Sequence, residues 1–255
     1  MTQATIEKPK KKVLSDQELK DLCMKVRRVV EQELEPLQDE IEKTHTFPQE
    51  FFDISVKYGL NRVSLPEEYG GMGLNAEQSF AVQEEIYRGP GGMRMNLHHA
   101  NCMNWRIVYD HAQPHIKDKF LPYLKDFTHY INFALTEPDC GSGADIRTSA
   151  VKKGDKWVIN GKKTLISHTD CATATVVLAV TDESKRKKGG MTAFLVETDR
   201  PGFRIEPMPH MMGARGAGHG YLFFEDCEVE EDHILGNVGD GLDIFMDALA
   251  ISRAQ

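Results

Sequence analysis

Apolar positions recur every three or four residues through the first half of the chain, then every second residue or in short solid runs after about residue 130. In "SDQELKDLCMKVRRVVEQELEPL" the residues Leu19, Leu22, Val26, Val29 and Val30 fall at helical spacing. Ser15 stands where an N-cap belongs and Glu18 follows three residues later, as in a capping box. The pattern predicts a helix that stops near Pro36. A second helix is expected in "PQEFFDISVKYGL", with Phe51, Phe52, Ile54, Val56 and Leu60 on overlapping turns and Gly59 as its stop. "LPEEYGGMGL" reads as a turn-rich connector. Helical spacing returns in "NAEQSFAVQEEIYRG" and in "WRIVYDHAQPHIKDKFLPYLKDF", the latter interrupted at Pro114 and closing near Phe127.

After residue 130 the period changes. "DKWVINGKKTLIS" is two short apolar runs about Asn160-Gly161, which predicts a hairpin at that dipeptide. "ATVVLAV" (174–180), "MTAFLVE" (191–197) and "YLFFEDCEV" (221–229) are β-branched or aromatic runs bounded by Gly, Pro and charge. Strands spaced in this way suggest a barrel or sandwich. In "GLDIFMDALAISRAQ" Leu242, Phe245, Met246, Leu249 and Ala250 return to one helical stripe with no stop signal, so the helix reads as severed and the chain as a piece of something longer. The expected organisation is α+β: a flexible arm over 1–14, an all-helical domain over 15–130, a β-barrel or sandwich over 131–240, and the first helix of a truncated C-terminal helical domain over 241–255.

Composition narrows the function. The 255 residues are 40% hydrophobic and 27% charged, ordinary for a globular chain. A formal charge of -8 argues against a nucleic-acid surface, which needs a basic stripe. "KPKKK" (Lys8 to Lys12) and "KRKK" (Lys185 to Lys188) read as a solvated arm and a loop. Cys23, Cys102, Cys140, Cys171 and Cys227 are scattered without CxxC spacing, which suits a reducing compartment. The start lacks the apolar stretch of a secretory signal, and no window approaches the roughly 18 apolar residues of a membrane span, so the location expected is cytoplasmic, or the mitochondrial matrix in a eukaryote. His98, His99 and Cys102 are metal-ligand types, but adjacent helical side chains point about 100° apart and no second cluster completes a site. A packing role is expected for them, and no metal.

"FALTEPDCGSGADIRTSA", residues 133–150, carries the strongest chemical signal. Glycine lets backbone N–H groups approach a phosphate or a flat ring closely, and a neighbouring hydroxyl adds a hydrogen bond. The third glycine and βαβ setting of a dinucleotide fingerprint are absent. Read on its residues alone, the stretch is equally a tight connector between domains.

"LPEEYGGMGL", "ALTEPDCGSGADI", "GDKWVINGKKTLIS" and "FFEDCEV", in that order and spacing, closely resemble the acyl-CoA dehydrogenase family of flavoproteins, from about Phe47 to Gln255. The resemblance implies a helical domain, a β domain and a C-terminal four-helix bundle, of which only the opening turns are present here. It implies FAD as cofactor, an acyl-CoA thioester dehydrogenated to the trans-2-enoyl-CoA, an electron-transfer flavoprotein as acceptor, and a homotetramer.

Carried over position by position, the first flavin segment is Phe133, Ala134, Leu135, Thr136, Gly141 and Ser142. Thr136 would bond the isoalloxazine, and Ser142 would serve the FAD pyrophosphate and the acyl-CoA. The second flavin segment is Leu165, Ile166 and Ser167; Leu165 replaces an aromatic usual in the family, and Ser167 keeps the hydroxyl expected near flavin N5. The acyl-CoA segment is Ala250, Ile251, Ser252 and Arg253, with Arg253 as a cation and Ala250 where an acidic residue is often found. Arg215 in "GARGAGHGY", which reads first as a loop, would contact CoA phosphate.

Most relatives carry a catalytic Glu in the bundle, and a minority at the position of Ser252. Serine cannot substitute, because its hydroxyl pKa is far too high unless another base activates it. Glu137 reads as part of a structural Glu-Pro corner. The resemblance therefore places the base beyond Gln255 and predicts that residues 1–255 alone are inactive or nearly so. Other readings are an oxidase or flavin monooxygenase of the same fold, and a non-catalytic binding or assembly module.

Overall fold

The structure is a computed structural model, and it describes residues 11–140 and 145–254. Helix α1 (Asp16–Val29) starts on the capping box read from the sequence: the Ser15 hydroxyl accepts from the Glu18 N–H, and the Glu18 carboxylate accepts from the Ser15 N–H at 2.8 Å. Asp16 and Glu18 in its first turn and Arg27 and Arg28 in its last complement the helix dipole.

Pro36 does not stop the helical path. The backbone passes through a π turn (Val30–Leu34) and a 3-10 turn (Glu35–Leu37) with Pro36 in its first positions, then enters α2 (Gln38–Thr44). Proline is accommodated in the first positions of that tighter turn, where its fixed φ suits the helical path. The stop comes at His45, in the left-handed region at φ 57°.

Helix α3 (Gln49–Tyr58) ends at Gly59 as expected, with φ 70°. Four further helices follow: α4 (Ala76–Ile86), capped by Asn75, then α5 (Gly91–Cys102), α6 (Asn104–His111) and α7 (Pro114–Phe120). The apolar stripes of α4 and α5 meet those of α1 to α3 in a core that includes Val30, Leu34, Ile41, Phe51, Leu60, Val82 and Leu97, while α6 and α7 turn theirs to the sheet. Glu85, on the polar side of α4, accepts two 2.8 Å bonds from Arg27 and so ties α4 to α1.

The second half is one eight-stranded mixed sheet: β1 (Ile131–Ala134), β2 (Ser149–Lys153), β3 (Lys156–Ser167), β4 (Ala174–Val180), β5 (Met191–Glu197), β6 (Phe203–Pro207), β7 (His219–Glu230) and β8 (Ile234–Leu235). The order along the sheet is β6-β7-β3-β2-β4-β5-β8, with β1 parallel to β4. It is an open sheet, not a closed barrel, with β6 and β8 at its ends. Every residue of β4 and β5 is buried. Their alternation divides two cores: Val176, Leu178 and Leu195 face the helices, while Val177, Phe194 and Val196 pack with Trp157, Leu222 and Phe224 of β3 and β7.

The hairpin predicted at Asn160-Gly161 is not there. Strand β3 runs straight through that dipeptide with a bulge, and the turn lies instead at Gly154-Asp155, between β2 and β3. Tertiary partners explain the difference. The Asn160 amide donates to Asp226, and its carbonyl accepts from the Asp226 N–H at 2.8 Å. At Gly161 (φ 152°) a Cβ would stand 2.5 Å from Thr148 Oγ1, so the glycine serves close approach. Helix α8 (Gly241–Arg253) then lies on the helical side of the sheet and buries Ile244, Phe245 and Ala248.

Candidate active site

The two segments matched to flavin contacts sit side by side. The Thr164 N–H donates to the Thr136 carbonyl at 2.9 Å, joining the end of β1 to the bulge of β3. Within the first segment Ala134 and Leu135 are buried, and the Phe133 ring packs tilted against Phe245 of α8 at 4.0 Å. Gly141 and Ser142 lie outside the described residues. Within the second, Ile166 is buried, whereas Leu165 is 49% exposed and held at φ 57°. The partly buried Ser167 hydroxyl lies 3.3 Å from His219 Nε2.

Beneath these segments is a buried ion pair. Lys163 Nζ lies 2.9 Å from Glu137 and also donates to the Leu135 carbonyl at 3.2 Å. The Glu137 carboxylate accepts the backbone N–H groups of Arg147 at 2.6 Å and Thr148 at 2.9 Å. Burial would raise its pKa, but the Lys163 charge and these donors hold it below the usual carboxylate value. Burial pushes the Lys163 ammonium down to about 8, opposed by Glu137. Glu137 is therefore committed to holding the corner, as its Glu-Pro setting suggests.

A column of histidines connects α5 with β3 and β7. The His99 ring meets His168 edge-on at 5.3 Å, and His168 packs against Tyr130 at 5.2 Å. His168 Nε2 is buried without a hydrogen-bond partner among the described residues. Burial, then the neighbouring histidines, lowers the pKa of His99 to about 3 and takes His168 in the same direction. His98, next on α5, places Nε2 at 2.8 Å from Ser252 Oγ and Nδ1 at 2.6 Å from the Tyr87 hydroxyl.

The four residues matched to acyl-CoA contacts face different surroundings. Ala250 and Ile251 line a groove with Arg106, Ile107 and Asp110 of α6. Ser252 turns to α5, and Arg253 is exposed. Arg215 pairs with Glu42 at 3.1 Å. Sequence reading took His98 for packing and missed Lys163, whose signal was a lone Lys at an inward position of a strand.

The matched segments carry the hydrogen-bonding and apolar side-chain types that a flat heteroaromatic ring would need. Thr136 and Ser167 bring hydroxyls to adjoining segments, and Leu165 is an exposed apolar side chain on the second of them. Among the described residues no group of three His, Cys, Asp or Glu could hold a metal ion. Among them, too, no helix is long and apolar enough to cross a membrane.

Comparison with known proteins identifies the family. The family model for the acyl-CoA dehydrogenase N-terminal domain matches residues 16–127, and that for the middle domain matches residues 132–227. Cyclohex-1-ene-1-carbonyl-CoA dehydrogenase of Syntrophus aciditrophicus is 37% identical over 93% of this chain and 57% of its own length. A glutaryl-CoA dehydrogenase from Mycobacterium smegmatis in complex with FADH2 superposes with a TM-score of 0.85 at 28% identity, over 94% of this chain and 60% of that one. A structure reported as the electron transferring flavoprotein of Acidaminococcus fermentans matches with a TM-score of 0.83 at 33% identity, over 94% and 63%. The chain thus spans less than two thirds of these relatives' lengths. It belongs to the acyl-CoA dehydrogenase family.

Proposed function

We propose that residues 1–255 carry the flavin-binding part of an FAD-dependent enzyme that converts an acyl-CoA thioester to the trans-2-enoyl-CoA. The observation that carries this reading is the Thr164-to-Thr136 hydrogen bond, which brings the two matched segments together. Bound FAD would accept the β-hydrogen as hydride. The chain's part would be to hold it: Thr136 and Ser167 would bond the ring, Leu165 would pack on it, and the Glu137–Lys163 pair keeps both segments in place. Ser142 would serve the pyrophosphate and the acyl-CoA, and Arg253 the charged part of the substrate.

Glu137 is occupied by Lys163 and two backbone donors, so it is not the base that takes the α-proton. We place that carboxylate outside residues 1–255. An electron-transfer flavoprotein is the proposed acceptor, within a homotetramer, in the cytoplasm or mitochondrial matrix.

The test is to purify the chain with excess FAD, remove free flavin, and record the visible spectrum before and after a medium-chain acyl-CoA. Retained yellow colour that does not bleach is the expected result. Bleaching would refute an external base, and colourless protein would refute flavin binding by these residues.

A further inference from the structure

The serine of α8 has the activating base that its sequence setting does not show. Gln83 Nε2 donates to Ser79 Oγ at 2.8 Å, which leaves Gln83 Oε1 to face the Tyr87 hydroxyl at 2.9 Å. An amide oxygen only accepts, so the Tyr87 proton points to Gln83. Cys102 Sγ also reaches Gln83 Oε1 at 3.5 Å and His98 Nδ1 at 3.6 Å, but the Tyr87 oxygen at 2.6 Å is the nearer partner of Nδ1, and with the tyrosine proton on Gln83 the imidazole proton sits on Nδ1. His98 Nε2 is left as a bare lone pair, 2.8 Å from Ser252 Oγ, and the serine proton points into it. The result is a hydroxyl on a base, with the base oriented by a third group.

The position suits a reaction. Ser252 follows Phe245 by seven residues, which returns it to the same face of α8 about 10 Å further along. Phe245 packs against Phe133, and His99, beside His98, meets edge-on the histidine that follows Ser167.

We propose that Ser252 is a nucleophile activated by His98 and oriented through Tyr87 and Gln83, and that it transfers the acyl group of a thioester to water. The thioester class rests on the function proposed above; the reactive serine does not. In the first step the Ser252 Oγ–acyl bond forms and the acyl C–S bond breaks. The serine proton passes to His98 Nε2 and on to the departing thiolate. In the second, water attacks the acyl-serine, gives its proton to His98, and the acyl–Oγ bond breaks. Oγ recovers its proton and a carboxylic acid leaves. No oxidant enters.

Burial, with a smaller contribution from Arg94, holds the His98 pKa down to about 4, so the imidazole stays proton-accepting well below its ordinary range. The titratable or charged neighbours are Arg94, His99 and Cys102 on its own helix, Tyr87 after α4, and Arg253 beside Ser252 on α8.

The experiment uses the whole chain without flavin. A fluorophosphonate probe reports serine reactivity, and release of free thiol from butyryl-CoA reports hydrolysis. We expect covalent labelling at Ser252 and thiol release that persists without loss from pH 7 to pH 5. Both should fall at least ~100-fold in Ser252→Ala and His98→Gln, with unchanged circular dichroism, and Ser252→Cys should keep thiol release. No labelling of a folded chain would overturn the proposal and make the pair a clamp between α5 and α8. Labelling without thiol release would overturn the thioester assignment. Neither result bears on whether the chain keeps FAD, which the visible spectrum decides.

Discussion

Replacing Glu137 with Gln removes one charge and almost no volume, which isolates the electrostatics of the corner. The Lys163 side chain is 0% exposed and that of Glu137 is 5%, so the ammonium cannot turn to water when its partner is neutralised. Breaking one side of a buried pair costs about 3–5 kcal/mol. Gln keeps an oxygen for one of the Arg147 and Thr148 N–H groups, but sets its own amide N–H against the other, which places the cost near the upper end. With a urea slope of about 3 kcal/mol per molar for a chain of this size, the midpoint should fall by about 1.3–1.6 M.

Urea unfolding at pH 7, followed by tryptophan fluorescence, measures this. Lys163→Met and the double variant complete the cycle, and the double should recover about 2 kcal/mol relative to the sum of the singles. Without Glu137 the Lys163 pKa drops below its present value of about 8, so the folded variant sheds the proton earlier and the deficit narrows as pH rises towards 8. A cost for Glu137→Gln under about 1 kcal/mol, or additivity in the cycle, would refute a buried charge pair here.

Burial places the folded pKa of His98 at about 4 and of His99 at about 3, below an unfolded value of about 6.5. Their stabilisation is complete above pH 6.5 and is lost as pH falls towards those values. Between pH 6.5 and 5 His98 alone accounts for about 1.6 kcal/mol, and His98→Gln should flatten the stability–pH curve there by that amount. Gly92→Ala puts a Cβ at 1.8 Å from the Arg215 carbonyl oxygen, so a loss of more than about 3 kcal/mol, or no soluble protein, is expected by thermal melting. Leu165→Gly relieves a left-handed leucine but adds chain entropy to the unfolded state. Its unfolding free energy should stay within about 0.5 kcal/mol of the parent, while FAD affinity by fluorescence titration drops about tenfold.

What could be read from the chain and what could not separate by the distance of the partner. The Ser15–Glu18 box and the Gly59 stop depend on neighbours within a turn, and β4 and β5 declare themselves because burial on both faces demands unbroken apolar runs. Asn160-Gly161 has the composition of a hairpin, yet Asp226 and Thr148 make it a bulge in a continuous strand, and Pro36 opens a helical segment because the residues after it remain helical. The site follows the same division. Thr136 and Ser167 were named from motifs, but what brings their segments together is a bond from Thr164 and a lysine under both, between strands that are not paired with each other in the sheet. Ser252, read alone, is a residue with too high a pKa to act. Its proton meets an acceptor only because α5 and α8 bring it to a histidine 154 residues earlier in the chain. A side chain's intrinsic chemistry is local, but the group that raises or cancels that chemistry is chosen by packing. The reactivity of Ser252 is therefore a property of the α5–α8 contact, and disturbing that contact should silence the serine even with every reacting atom left in place.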